Sequence, residues 1–83
     1  MRLAKNVKFR EEKFGGVLFE TRAEKVYTLT PTAAAVIQQI AAGRATHEIA
    51  PELARRFDAA DGIIEREVGA FLAELRQRKL IEE

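Results

Sequence analysis

The chain has no cysteine and no serine among its 83 residues, and these absences remove whole classes of chemistry. Without thiols there is neither a disulfide framework nor a thiolate metal site, which fits a reducing compartment. Lacking both residues, the chain also lacks the two commonest activated nucleophiles, so covalent hydrolysis of the usual kind is effectively excluded. Histidine occurs once, as His47 between Thr46 and Glu48, with no histidine or cysteine companion. A general base or metal ligand there lacks the partners a site needs, and His47 reads as a solvated residue at a helix start. Long apolar runs are missing as well. The opening MRLAKNVKFREEKF is interrupted by charge every few residues, so no signal-peptide core or spanning segment can be drawn, and a cytoplasmic protein with no membrane partner is expected. An excess of one charge is absent too, because a net charge of +1 supplies no long-range field toward nucleic acid or membrane.

What is present is the composition of a folded domain. Apolar residues make up 47% and charged residues 33%, too apolar for disorder. No linker or repeat interrupts the chain, and residues 1–83 read as a single domain of a size that buries roughly 60–65% of its unfolded surface. Val7 to Glu11 alternates apolar and charged residues as a half-buried strand does. Lys13-Phe14-Gly15-Gly16 offers a tight reversal, and Val17 to Glu20 resumes as a second strand. After the polar turn Thr21 to Glu24, Lys25 to Leu29 forms a third, completing an antiparallel meander. Thr30-Pro31 then changes the structure: Thr30 caps a helix, and Pro31 takes its first position, where the missing N–H is no loss. Ala33, Val36, Ile37 and Ile40 recur at helical spacing up to a C-cap at Gly43. Thr46 is the expected cap of a second helix carrying Ile49, Leu53 and Phe57 on one face, although Pro51 then removes a hydrogen bond one turn in. Asp58 and Asp61 offer caps for a third helix with an apolar stripe of Ile64, Val68, Phe71, Leu72 and Leu75. Leu80-Ile81 leaves that helix. The expected fold is α+β, a three-stranded antiparallel sheet followed by three helices.

Candidate sites are few. The pairs Glu11-Glu12, Glu82-Glu83 and Glu65 with Glu67 read as solvated surface, and no catalytic residue, metal ligand or cofactor site is assigned. The aromatics fall mostly at core positions, Phe14 beside the glycine turn being the least easily buried. Two features remain. A third helix after a small sheet permits a winged-helix DNA binder, but Asp61, Glu65, Glu67 and Glu74 balance Arg66, Arg76, Arg78 and Lys79, a poor footprint for a polyanion. The free edge of the last strand offers unpaired N–H and C=O groups to an extended peptide, or to an enzyme or second copy in docking or dimerisation.

The strand running into Leu29-Thr30-Pro31-Thr32-Ala33-Ala34-Ala35-Val36-Ile37, the helix with Thr46-His47-Glu48-Ile49-Ala50, Leu53 and Phe57, and Val68-Gly69-Ala70-Phe71-Leu72-Ala73-Glu74-Leu75 followed by Leu80-Ile81 together resemble the PqqD-like family, the RiPP precursor peptide recognition element. The resemblance covers nearly the whole chain from about Val7. It implies a winged-helix-like arrangement and a non-enzymatic peptide chaperone. Such a chaperone, expected here as a monomer or weak homodimer, binds the leader of a ribosomally made precursor as an added strand and presents it to a radical SAM/SPASM-type maturation enzyme. Carried onto this chain, the pairing strand is Lys25, Val26, Tyr27, Thr28 and Leu29. A helical wheel lets either flank of the third helix line the groove: Glu65, Gly69, Leu72, Ala73 and Arg76, or Glu67, Ala70 and Glu74. The first is preferred because family members often carry a larger apolar residue where this chain has Gly69. Arg76 and Lys25 would then suit an acidic leader residue, with affinity of about −8 kcal/mol or somewhat stronger.

Overall fold

The computed structural model describes residues 1–58, 60 and 62–83. In chain order the elements are strands β1 (Arg2–Leu3), β2 (Val7–Glu12), β3 (Gly15–Glu20) and β4 (Lys25–Leu29), helices α1 (Pro31–Ala41), α2 (Thr46–Arg56) and α3 (Ile63–Gln77), and strand β5 (Ile81–Glu82). Strands β2, β3 and β4 form the expected antiparallel sheet in that order, with β4 at an edge. The two-residue strands β1 and β5 pair separately, Arg2 opposite Glu82 and Leu3 opposite Ile81. They were not foreseen, being too short to show any alternation.

The glycines do other work than expected. The reversal between β2 and β3 is made by Lys13 and Phe14, and Gly15 and Gly16 already belong to β3, opposite Glu12 and Glu11. Gly15 has φ +142°, and a Cβ there would stand 2.2 Å from the Leu29 carbonyl oxygen and 2.8 Å from the Pro31 nitrogen. It is the close approach of the hairpin to the β4–α1 junction that demands glycine at this position. Phe14, at the hairpin tip, is 52% exposed.

At that junction the Thr30 hydroxyl accepts from the Ala33 N–H at 3.2 Å and Pro31 opens α1, as the sequence reads. Helix α1 ends at Ala42 with Gly43 in the left-handed conformation, the Gly43 and Arg44 N–H groups donating to Ile40 and Gln39. Helix α2 is capped by Ala45 instead of Thr46. The alanine side chain has no acceptor to offer; the Ala45 carbonyl accepts the Glu48 N–H at 2.9 Å, and the Glu48 carboxylate reaches back to accept the Ala45 N–H at 3.1 Å. Pro51 lies inside this helix. Gly62, in the left-handed conformation, caps α3; Asp61, one of the two expected caps, lies outside the described residues. Helix α3 closes with Lys79 at φ +59°, the Lys79 and Leu80 N–H groups donating to Arg76 and Leu75. That motif turns the chain back so that Leu80 and Ile81 are buried and β5 meets β1.

Helix α1 packs on β3 on one side and on α2 and α3 on the other. Its Val36, Ile37 and Ile40 are enclosed with Leu18, Leu29, Ile49, Leu53, Val68, Leu72 and Leu75 in one core. Burying such side chains contributes about 1.5–3 kcal/mol each.

The β3–β4 turn is tied by Glu20. Its carboxylate accepts from the Asn6 side-chain amide and from the backbone N–H groups of Arg22 at 2.7 Å and Ala23 at 3.0 Å. The Asn6 hydrogen bond, with the two backbone donors, holds the Glu20 carboxyl below its ordinary value of 4.5. A carboxyl whose folded pKa is depressed contributes stability that is present above its unfolded pKa and lost as pH falls through the folded one. Urea midpoints should therefore fall below pH 4.5, and less steeply in Glu20→Gln.

Candidate functional site

The free edge of β4 can be resolved to single backbone groups. The Thr21 N–H donates to the Asn6 carbonyl at 2.9 Å, and the Val7 N–H turns away from the sheet to Ala4 at 3.0 Å. In an antiparallel ladder every second residue exchanges both bonds with its opposite number. Thr21 therefore sets the phase: Phe19, Val17 and Gly15 address β2, and Glu20, Leu18 and Gly16 address β4. Lys25, Tyr27 and Leu29 answer them, and Val26 and Thr28 point their N–H and C=O groups outward. Two donors and two acceptors are left for a further strand.

Side chains alternate in the same rhythm. Tyr27 and Leu29 share the helix-facing side of the sheet with Leu18, whereas Val26 lies on the far side and is 61% exposed. Between β4 and α3 lies a cleft of about 290 Å³. Leu18, Val36, Leu75 and Leu80 supply its apolar lining, Tyr27, Thr28 and Leu29 one wall, and Glu67, Phe71, Glu74 and Arg78 the other. On the helix these four stand at i, i+4, i+7 and i+11, one continuous face. Arg78 bridges the two walls. Its Nε donates to Glu74 Oε1 at 3.1 Å, and its guanidinium lies 5.3 Å from the centroid of the Tyr27 ring. Tyr27 and the Glu74 carboxylate push the already high pKa of Arg78 further up.

Of the residues singled out from sequence, Tyr27, Thr28 and Leu29 line the cleft. Lys25 is exposed where the strand begins. On α3 the structure brings the other flank to β4. Leu72 is buried in the core, 5% exposed, and Glu65, Gly69, Ala73 and Arg76 face solvent away from the cleft. Arg76 Nε instead donates to Glu83 Oε1 at 2.9 Å. The geometric reason is that α3 buries Ile64, Val68, Leu72 and Leu75, and the way the helix crosses the sheet decides which side of that stripe meets the strand. A wheel cannot supply that hand. Ala70, from the other flank considered, is exposed, while Phe71, read as core, sits half-buried at the cleft. Arg78 was missed as a lining residue; its i+4 spacing from Glu74 was the available signal.

Gly69 has nothing within 4 Å of where a Cβ would stand. Gly69→Ala should accordingly stabilise the protein by about 1 kcal/mol through helix propensity alone. The expected rise in Tm is about 4–8 °C for a domain of this size, with peptide affinity unchanged. A loss of affinity in this variant would bring the Gly69 flank back into the site.

Among the described residues no group of three or more His, Cys, Asp or Glu side chains is placed to hold a metal ion, and no helix is long and apolar enough to cross a membrane.

Comparison with known proteins agrees with this architecture. The family model described as coenzyme PQQ synthesis protein D (PqqD) matches residues 15–81. No curated protein matches the chain. Among solved structures, "TbiB1 in Complex with the TbiA(beta) Leader Peptide" shares the fold with a TM-score of 0.84 at 18% identity, covering 99% of this chain and 95% of that one. A second, "Lasso peptide synthetase B1 complexed with the leader peptide", has a TM-score of 0.77 at 23% identity, covering 93% and 91%.

Proposed function

The chain belongs to the PqqD family, and from that premise we propose that it captures the leader segment of a ribosomally synthesised precursor peptide by strand addition on β4 and presents it to a modifying enzyme. The observation that carries this reading is the outward-facing pair Val26 and Thr28 on an edge strand that borders a partly apolar cleft. Main-chain pairing supplies sequence-tolerant attachment, and side chains entering the cleft supply choice. The protein's own role is to bind and orient, with no bond made or broken. The two fold relatives are each in complex with a leader peptide, which supports leader binding as the use of this fold.

The receiving enzyme is a radical SAM maturation enzyme in the reading that family membership favours. The likeness to a lasso peptide synthetase component supports a second, in which the recipient is an enzyme of lasso-peptide synthesis. Titration of isotope-labelled protein with the synthetic leader of a precursor encoded beside it tests the binding step. Amide shifts should concentrate on Val26 to Leu29 and on Glu67, Phe71, Glu74 and Arg78. Shifts confined to the Glu65, Gly69 and Ala73 flank, or produced only by duplex DNA with steep salt dependence, would overturn the reading.

A further inference from the structure

The charges around the cleft are not in balance. Glu74 is neutralised by Arg78, and Arg78 is held in turn by Glu74 and the Tyr27 ring. Glu67 also lines the cleft, and among the described residues it forms no ion pair. Lys25, the cation of β4, does not line it. The lining thus carries one uncompensated carboxylate, one turn of α3 before Phe71.

Spacing converts this into a pattern. The lining positions from Glu67 to Arg78 extend over about 16 Å of helix axis at 1.5 Å per residue, so the cleft follows α3. In a strand added to β4, side chains at i and i+2 point to the same face, about 6.8 Å apart. Glu67 and Phe71 are about 6 Å apart along their helix. Two same-face residues of the added strand can therefore meet both, one against the Phe71 ring and the other beside the Glu67 carboxylate. A residue one position away turns to the far side of the sheet, where Val26 lies.

We propose that the cleft selects peptides carrying a lysine or arginine two residues from a bulky apolar side chain, with Glu67 as the specificity-determining residue. This rests on the strand-addition reading above. It also reverses the acidic preference that Arg76 and Lys25 suggest from sequence, because neither of them lines the cleft.

Selection of displayed short random peptides on the full chain and on its variants tests it. Wild-type protein should enrich a basic residue two positions from an apolar anchor. Glu67→Lys should turn that preference to aspartate or glutamate, and Glu65→Lys, on the other flank, should leave it as in wild type. For one selected peptide, replacing its basic residue by glutamate should weaken binding to wild type by about fivefold to tenfold and strengthen binding to Glu67→Lys, with the difference shrinking as salt is raised. Enrichment of apolar anchors with no charge preference, or a basic preference that survives Glu67→Lys, overturns this proposal and leaves strand addition standing. Failure of wild type to enrich any peptide above a Thr28→Pro control sinks both.

Discussion

Thr28→Pro is expected to lower leader affinity by about tenfold to a hundredfold while the domain remains folded. Thr28 points its N–H outward from the edge strand. Proline there removes one of only two donors offered to an incoming strand, and its ring crowds the position that strand would take. Losing one partner of a paired group costs about 1–3 kcal/mol, which sets the range. The sheet itself tolerates the change because proline at an edge position with an outward N–H breaks no internal bond. Tyr27→Pro, one residue earlier, is the control. Its N–H addresses Leu18 across the β3–β4 ladder, so its loss should show as lowered stability, read by urea denaturation. A folded Thr28→Pro protein with wild-type affinity, measured by isothermal titration, would remove the peptide from this edge.

Gly15→Ala should have the largest effect on stability. The added methyl meets three backbone atoms of the β4–α1 junction, the Leu29 oxygen at 2.2 Å, the Thr30 carbonyl carbon at 2.6 Å and the Pro31 nitrogen at 2.8 Å. No side-chain rotation relieves such contacts. Strain at the unusual φ and overpacking each cost about 1–3 kcal/mol, so a loss of roughly 3 kcal/mol or more is expected. For a domain of this size that lowers Tm by about 12 °C or more. The same displacement pushes on Leu29 and Thr30, the end of the edge strand, and affinity should fall in whatever fraction stays folded. A variant that melts like wild type would mean that the hairpin and the β4–α1 junction are not in the contact described.

Local chemistry made the middle of the chain legible. Thr30-Pro31 states a cap and a first helical residue in two letters, and Gly43 marks the end of that helix by being the one residue that adopts its conformation without strain. The same ending on α3 was invisible because Lys79 stands where glycine would have announced it. At α2 the signal was split: Ala45 holds the capping position and Glu48, three residues on, supplies the oxygen. Periodicity gave Ile64, Val68, Leu72 and Leu75 their inward face, but Phe71 borders that stripe and is shared between core and cleft. The choice between the Glu65 and Glu67 flanks depends on how α3 crosses the sheet, a long-range property that no local pattern encodes. Edge position followed from order alone, since the last strand of a meander has one neighbour.

That on β4 only Val26 and Thr28 address the outside has a kinetic consequence for the proposed strand addition. Four main-chain hydrogen bonds at about 0.5–1.5 kcal/mol net each amount to millimolar holding power or a little better, and contacts in the cleft must supply the remainder. At micromolar affinity and an association rate of about 10⁶–10⁷ M⁻¹s⁻¹, the cargo departs within about a second. Typical enzymes turn over at about 10 s⁻¹. A brief grip of this kind suits the proposed role, that of a courier that must surrender each passenger and return empty before the next one is made.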